Sequence, residues 1–244
     1  MSTILVIADL HLEADRPDIT QCFFDFLDQI CNNNNQYQSL YILGDLFEVW
    51  FGDDNPSQLN KDVAAKLKQT AEHLPIYFIH GNRDFLLGKK YAKQCNMTLL
   101  PEQHQISAFG KSIVFMHGDQ LCLDDVDYQK FRKKSRTWLW KRLMLSLPLS
   151  FRMEKARKIR EKSKQSQMHK TADIMDVAEY EVTRVLEQTQ CDWLVHGHTH
   201  RPKIHQYDNK QRIVVGDWYT QGSVLELSNQ GAVLKQLTFS NNCE

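Results

Sequence analysis

Close-spaced cysteines are missing from the sequence. The six that occur, Cys22, Cys31, Cys95, Cys122, Cys191 and Cys243, are scattered along 244 residues. That pattern fits neither a disulfide framework nor a zinc site built from thiolates, and they read as reduced cytosolic thiols. Long apolar runs are missing too. The chain passes from Met1 into a short apolar stretch, Ile4 to Ala8, without a basic region and a cleavage site around it, so no signal peptide is expected. Glycine and proline are sparse, at ten and six residues, which excludes fibrous and low-complexity classes. What remains is an ordinary globular composition, 42% hydrophobic and 25% charged. The length suits one domain with a modest insertion and is short for two.

Net charge is zero, yet the segment 130–164 holds fourteen Lys and Arg against Glu154 and Glu161 only. One stretch is therefore a basic patch, and the rest of the chain is acidic.

Five short apolar runs, Ile4 to Ala8, Leu40 to Leu43, Ile76 to Ile79, Ile113 to Met116 and Trp193 to Val195, have the character of buried strands. Helical spacing separates the first three: Ile19, Phe23, Phe26, Leu27 and Ile30 share one face of Asp18 to Ile30, and Val63, Ala64, Leu67 and Ala71 one face of Lys61 to His73. This alternation is that of an α/β domain. Ile213 to Val215, Val224 to Leu227 and Val233 to Leu237, divided by turn-prone residues, predict added antiparallel strands. Asn32 to Asn35 reads as a solvated helix-to-strand loop. Residues 124–170 break the rhythm. They carry no strand-like run and predict a helical insertion that joins the basic patch to an apolar cluster from Trp138 to Phe151, too short and too interrupted by Lys141 and Arg142 to span a bilayer. The expected division is a core of residues 1–123 and 171–244 with a helical cap of residues 124–170.

Chemistry-bearing residues stand just past the predicted strands: Asp9 and His11 in Ala-Asp-Leu-His, Asp45 in Gly-Asp-Leu-Phe-Glu, Asn82 in Gly-Asn-Arg-Asp, His117 in Met-His-Gly-Asp, and His198 and His200 in Gly-His-Thr-His. Each motif alone is weak. Together they are hard to explain by packing, because a core needs no carboxylates or histidines there and burying them unpaired is costly. In α/β sheets such residues converge beyond the carboxyl ends of the strands. Oxygen and imidazole donors without thiolate suit Mn, Fe, Zn or Mg. Two such ions sharing a carboxylate, about 3.5 to 4 Å apart, clamp both oxygens of an in-line phosphoryl displacement.

In order and wording these motifs resemble those of the calcineurin-like metallophosphoesterases, a mixed-sheet α/β sandwich flanked by helices. The resemblance implies that Asp9, His11, Asp45 and His200 hold one metal and Asp45, Asn82, His117 and His198 the other, with hydroxide as nucleophile. Two positions depart from the general pattern: Arg83 stands where a His general acid belongs, and Glu48 where a second Asp does. Loss of the acid is tolerable when the leaving group is itself a phosphate, and Arg83 is suited to fork onto phosphate oxygens. Longer stretches, 44–54, 81–86, 117–125 and 197–202, are similar to the UDP-2,3-diacylglucosamine pyrophosphohydrolase family of the lipid A pathway. That resemblance implies a manganese-dependent hydrolase that attacks the α-phosphorus to give UMP and 2,3-diacylglucosamine 1-phosphate. It also implies work at the cytoplasmic face of the inner membrane as a peripheral protein, with neither nucleic acid nor an obligate protein partner.

The cap then acquires a task, enclosing two acyl chains with its apolar face and meeting anionic headgroups with its cationic one. The plainer alternative is a helix packed on the core with a solvated charged face. Arg160, Ser163, Gln167 and Lys170 form one polar stripe at helical spacing. By the resemblance, these residues join Asp125, Tyr128, Asn82, Arg83 and His198 around the substrate, Gln167 standing where Asn is expected. Competing readings are a broader phosphodiesterase or protein phosphatase, a non-catalytic scaffold, and a nucleic-acid binder. Arg83 and the apolar cap count against the first, the full ligand set against the second, and the aliphatic character of the basic patch against the third.

Overall fold

The structure is a computed structural model and describes residues 3–33, 36–168 and 176–239. Two mixed sheets pack face to face. The first has the order β11-β10-β1-β2-β3-β4, formed by β1 (Thr3–Ile7), β2 (Tyr37–Ile42), β3 (Ile76–Phe78), β4 (Thr98–Leu99), β10 (Gly222–Ser228) and β11 (Gly231–Leu237). The second has the order β5-β6-β7-β9-β8, from β5 (Gln103–Ala108), β6 (Lys111–Met116), β7 (Trp193–His196), β8 (Lys203–Tyr207) and β9 (Lys210–Val214). Strands β1 to β4 run parallel, as do β6, β7 and β9, while the hairpin partners at the margins are antiparallel.

The near-continuous apolar character of β1 follows from burial on both faces. Ile4, Val6 and Ala8 point between the sheets with Tyr41, Leu43 and Ile79, against Ile113, Phe115, Val195 and Ile213 of the second sheet. Leu5 and Ile7 point outward under α1 (Pro17–Asn32), α2 (Gln58–Thr70) and α3 (Lys89–Gln94). On the far side Val114, Met116 and Leu194 are covered by Val182, Val185 and Leu186 of α7 (Glu179–Thr189). The order of layers is helix, sheet, sheet, helix.

Helix α1 begins with Pro17 in its first turn and buries Ile19, Cys22, Phe23, Phe26, Leu27 and Ile30. Helix α2 starts three residues before the predicted Lys61 because Ser57 accepts a hydrogen bond from the Asn60 amide and caps it. Of the predicted loop Asn32 to Asn35, Asn32 still belongs to α1, and Asn34 and Asn35 lie outside the described residues. The predicted antiparallel C-terminal strands need one correction. The run ending at Val214 is β9, which lies parallel to β7 and antiparallel only to β8.

Residues 124–168 fold as three helices: α4 (Val126–Ser135), α5 (Trp138–Leu145) and α6 (Leu149–Met168). Arginines fasten them to the core. The buried Arg152 donates to the Phe51 carbonyl and pairs with Asp54. Trp140 packs on Phe85 and Phe131, but Trp138, Leu139 and Leu143 are 69%, 70% and 61% exposed. The apolar cluster is thus mostly an open face of α5. No helix among the described residues is long and apolar enough to cross a membrane.

Candidate metal centre

All seven expected ligands leave the carboxyl ends of strands: Asp9 and His11 after β1, Asp45 after β2, Asn82 after β3, His117 after β6, and His198 and His200 after β7. Both sheets end there, which is why residues far apart in sequence meet. The backbone is bent to suit. Asp9, His11, Asp45, His198 and His200 have positive φ, between 52° and 68°. This region costs a residue with a side chain free energy, though Asp and His tolerate it better than most, and strained backbone clusters at functional sites. Two ligand loops also touch through glycine: a Cβ on Gly81 would land on the Asp45 carboxylate.

The side chains form two groups joined by Asp45. In the first, buried Asp9 Oδ1 lies 3.5 Å from His200 Nε2 and 4.0 Å from His11 Nε2, and the two Nε2 atoms face each other at 3.3 Å. In the second, Asn82 Oδ1 lies 2.9 Å from His117 Nε2. Asp45 presents Oδ2 to His11 Nε2 at 3.9 Å and Oδ1 to His117 Nε2 at 3.8 Å, so it stands between the groups. Asp9 also lies near Asp45 and His117, within 4.8 Å between ligand atoms. His198 is brought in through its backbone, whose amide donates to Asp9 Oδ2 at 2.7 Å, and its ring packs edge-on to that of His117.

The rings are oriented for coordination. His117 Nδ1 is hydrogen-bonded to the Leu43 carbonyl at 2.7 Å, His11 Nδ1 faces Glu48 Oε2 at 2.7 Å, and His200 Nδ1 faces Asp217 Oδ2 at 3.2 Å. With each Nδ1 turned outward to an oxygen, each Nε2 faces inward, the orientation in which a neutral imidazole binds a metal. Two inward Nε2 atoms at 3.3 Å repel unless a proton or a cation lies between them. Asp9 Oδ1, buried without a hydrogen-bond partner, makes the same demand for positive charge. The donor set therefore fits a pair of divalent cations.

The titration tendencies mark the same demand for positive charge, which a proton on His200 meets when no cation is bound. Burial favours the neutral form of His200, but Asp217 and Asp9 override it and push the ring up to about 10. Burial would raise Asp9, yet His200, His117 and His11 hold it well below the usual carboxylate range. His198, desolvated and beside His117, is pushed down to about 3 and is neutral.

Arg83 projects at the rim. Its amide donates to Asp45 Oδ1 at 2.8 Å, and its guanidinium lies 3.8 Å from Glu48 Oε1. The same Glu48 oxygen takes Arg160 of α6 at 2.5 Å, so the residue in place of the general Asp gathers both cations beside the centre. Of the expected substrate contacts, Asp125 caps α4 by accepting from the Tyr128 amide, and the Tyr128 ring faces His198 at 6.3 Å. Ser163 and Gln167 sit on α6 beyond the last described side chain, and Lys170 lies outside the described residues. Trp50 packs in the core against Phe47 and Tyr91, and His80 is half-buried with Nε2 on the Leu87 carbonyl.

Four contributors escaped sequence reasoning. Asp84, fully buried, accepts from the Leu46 and Gly81 amides at 2.8 Å each and so ties the Asp45 and Asn82 loops together; burial and the nearby Asp45 charge push it up to about 7. Asp119 follows His117 by two residues and meets Arg132 and Arg136. Asp217 orients His200, and Tyr219 stacks on His11 at 5.0 Å. Asp84 and Asp119 stand inside quoted motifs. Asp217 and Tyr219 carry no sequence signal beyond lying past β9.

Residues 2–202 match the family model described as calcineurin-like phosphoesterase. The chain is 50% identical to the UDP-2,3-diacylglucosamine hydrolase of Shewanella loihica over 98% of both chains, and 50% identical to that of Shewanella pealeana over 96% of this chain and 98% of the relative. Among solved structures, an archaeal phosphodiesterase shares the fold with a TM-score of 0.50 at 12% identity, covering 96% of this chain and 99% of its own. The chain therefore belongs to the calcineurin-like phosphoesterases and, within them, to the family of the Shewanella UDP-2,3-diacylglucosamine hydrolases.

Proposed function

We propose that this chain hydrolyses the pyrophosphate of UDP-2,3-diacylglucosamine in lipid A biosynthesis, releasing UMP and 2,3-diacylglucosamine 1-phosphate. The observation that carries the reading is Arg83, bonded through its amide to the carboxylate between the two ligand groups and offering a guanidinium where a general acid is expected. Asp9, His11, Asp45 and His200 would hold one divalent ion and Asp45, Asn82, His117 and His198 the other, manganese being the candidate. Bound there, the ions would supply a water of lowered pKa and neutralise phosphoryl oxygens.

The residues of the chain do the rest. The attacking oxygen, its proton given up to solvent, would bond to the α-phosphorus as the bond to the bridging oxygen breaks, and the bridging oxygen would leave on the diacylglucosamine phosphate. A phosphate leaving group needs no proton at that moment, so Arg83 suffices, forking onto the oxygens where charge grows. Glu48 keeps Arg83 and Arg160 beside the centre until phosphate competes for them. His198 and Tyr128, with Asp125 at the start of α4, border the side on which the glucosamine phosphate would lie; Ser163, Gln167 and Lys170 extend that border.

Residues 124–170 act as a cap on a core of residues 1–123 and 171–244. The open apolar face of α5 takes the acyl chains, and the neighbouring Lys and Arg meet an anionic membrane at its cytoplasmic face, a peripheral association. Purified protein assayed with UDP-diacylglucosamine beside a soluble aryl phosphodiester, with manganese, magnesium and zinc in turn, tests the reading. Preference for the aryl diester under every metal would replace it with a general phosphodiesterase.

A further inference from the structure

We infer that helix α4 is the outer frame of one ligand group only: Tyr128, Arg132 and Arg136 act, through Asp119 and Gly81, as positioning residues for Asn82, His117 and His198. The inference rests on the two-metal reading above.

Tyr128, Arg132 and Arg136 are spaced i, i+4, i+8 and so share one face of α4 and its C-cap. All three converge on one carboxylate oxygen. Asp119 Oδ2 accepts from Tyr128 Oη at 2.5 Å, from Arg132 Nε at 2.8 Å and from Arg136 Nη2 at 3.3 Å. Asp119 is fully buried and stands two residues past His117, while Gln129, on the same helix, donates to the Asp119 carbonyl at 2.8 Å. The His117 loop is thereby held at both backbone and side chain.

Arg136 carries the frame to the second loop. Its Nη2 donates to the Gly81 carbonyl at 2.8 Å, one residue before Asn82, and its guanidinium lies over the Phe85 ring at 5.2 Å. Gly81 donates in turn to Asp84, so both ends of its peptide are fixed. The Tyr128 ring meets the third ligand, His198, at 6.3 Å with a 26° tilt. Arg132 and Arg136 also pair with Glu102 at 2.7 and 3.4 Å, which fixes α4 relative to the second sheet.

The other group is framed differently. His11 is set by Glu48 and Tyr219, and His200 by Asp217. The cap reaches it through Arg160 on Glu48, from α6, with an Arg160 side chain 42% exposed against 13% and 10% for Arg132 and Arg136. A half-exposed ion pair fixes geometry weakly, whereas a buried one leaves an uncompensated charge when a partner is removed. Loss of an outer partner of a metal ligand typically lowers metal affinity by about 10- to 100-fold. That loss should fall on one ion.

The test is Mn2+ binding to metal-depleted full-length protein, followed by calorimetry and electron paramagnetic resonance. Wild type should bind two equivalents with a spin-coupled signal. Arg136→Gln should weaken one equivalent by about 10- to 100-fold and leave the other, so that the isolated six-line signal replaces the coupled one. Arg136→Lys should recover part of the loss. Asp217→Asn should weaken the opposite equivalent, and the double variant should weaken both. If Arg136→Gln fails to fold, Tyr128→Phe, which keeps the ring and removes only the hydroxyl, should act in the same direction. Equal weakening of both equivalents, weakening of neither, or a double variant no worse than Arg136→Gln would overturn the inference. Wild type binding fewer than two equivalents would instead overturn the two-metal reading beneath it.

Discussion

Replacing Trp138, Leu139 and Leu143 together by Gln should separate lipid recognition from phosphoryl chemistry. Each of the three is open to solvent at 61% or more, so the folded protein loses little when they become polar. Covering an apolar side chain completely contributes roughly 1.5 to 3 kcal/mol. With about two thirds of each ring or chain still available, acyl contact gains about 1 to 2 kcal/mol per residue and about 3 to 6 kcal/mol for three. Ordering two acyl chains consumes part of this, so the lower end applies, and about 3 kcal/mol is roughly 100-fold in binding. The assay is kcat/KM for UDP-diacylglucosamine in mixed micelles and for a soluble aryl diester, at equal metal content. The first should fall about 100-fold and the second by no more than about twofold. Trp140 makes the contrast, because it packs on Phe85 beside the Asn82 loop, and Trp140→Gln should lower both rates. Equal loss of both rates in the triple variant would refute the reasoning and reduce α5 to a support of the fold.

Asp45→Ala should release both ions and abolish turnover, since its two carboxylate oxygens face His11 and His117 separately, at 3.9 and 3.8 Å; near wild-type turnover with full metal content would contradict this. Arg83→Ala should lower kcat by about 100- to 1,000-fold at unchanged metal content, as measured by atomic absorption, in line with removal of one charge-stabilising donor. Neutralising the exposed Lys133, Lys134 and Arg142 should weaken binding to anionic vesicles by about 1 kcal/mol per charge, an effect that shrinks as salt rises in a sedimentation assay. Burial pushes His80 down to about 4 from an unfolded value near 6.5, so the folded state binds fewer protons between those limits. Its contribution is present above pH 6.5 and lost as pH falls towards 4, on the order of 3 kcal/mol at full effect. Urea midpoints of wild type should therefore fall relative to His80→Gln across that window, and parallel pH profiles would show that the ring stays uncharged for another reason.

The parts of the fold written in apolar side chains were legible. Ile4 to Ala8, Leu40 to Leu43 and Ile113 to Met116 became β1, β2 and β6 within a few residues, because a strand buried on both faces must be apolar throughout. Strands β5 and β8 lie at sheet edges and bury no residue fully, so Gln-His-Gln-Ile-Ser-Ala and Lys-Ile-His-Gln-Tyr carry too few apolar positions to announce themselves. Helix α7 is marked only weakly for a related reason: Val182, Val185 and Leu186 stand at helical spacing, but three positions make a short stripe among polar neighbours. The direction of β9 was hidden because its partner β7 lies on the far side of a hairpin, and hydrophobic pattern specifies which face is buried, not which way a neighbour runs.

The centre was legible to the depth of one shell. A candidate ligand declares itself in sequence because it is a polar residue just past a buried strand, a local fact, and Asp9, Asp45, His117 and His198 all satisfy it. A residue that holds a ligand in place obeys no such local rule. Asp217 reaches His200 from the end of a different strand, Asp84 matters for two amides that the fold delivers to it, and Asp119 matters for a helix that begins seven residues later. Their partners are set by topology, and topology is what a single sequence specifies least. This has a consequence for how the chain divides. Measured by candidate ligands, the proposed cap of residues 124–170 contributes nothing, and a boundary drawn by sequence leaves the centre whole on the proposed core. Measured by what holds the ligands, α4 belongs with the His117 and Asn82 loops, since Arg136 donates to the Gly81 carbonyl and Arg132 and Arg136 neutralise the buried Asp119. Excising the whole cap would remove Tyr128, Arg132 and Arg136, which hold the Asp119 carboxylate, and with Arg136 the hydrogen bond to the Gly81 carbonyl. A chain cut at residues 124 and 170 should therefore lose the order of the second candidate ligand group along with the open apolar face of α5.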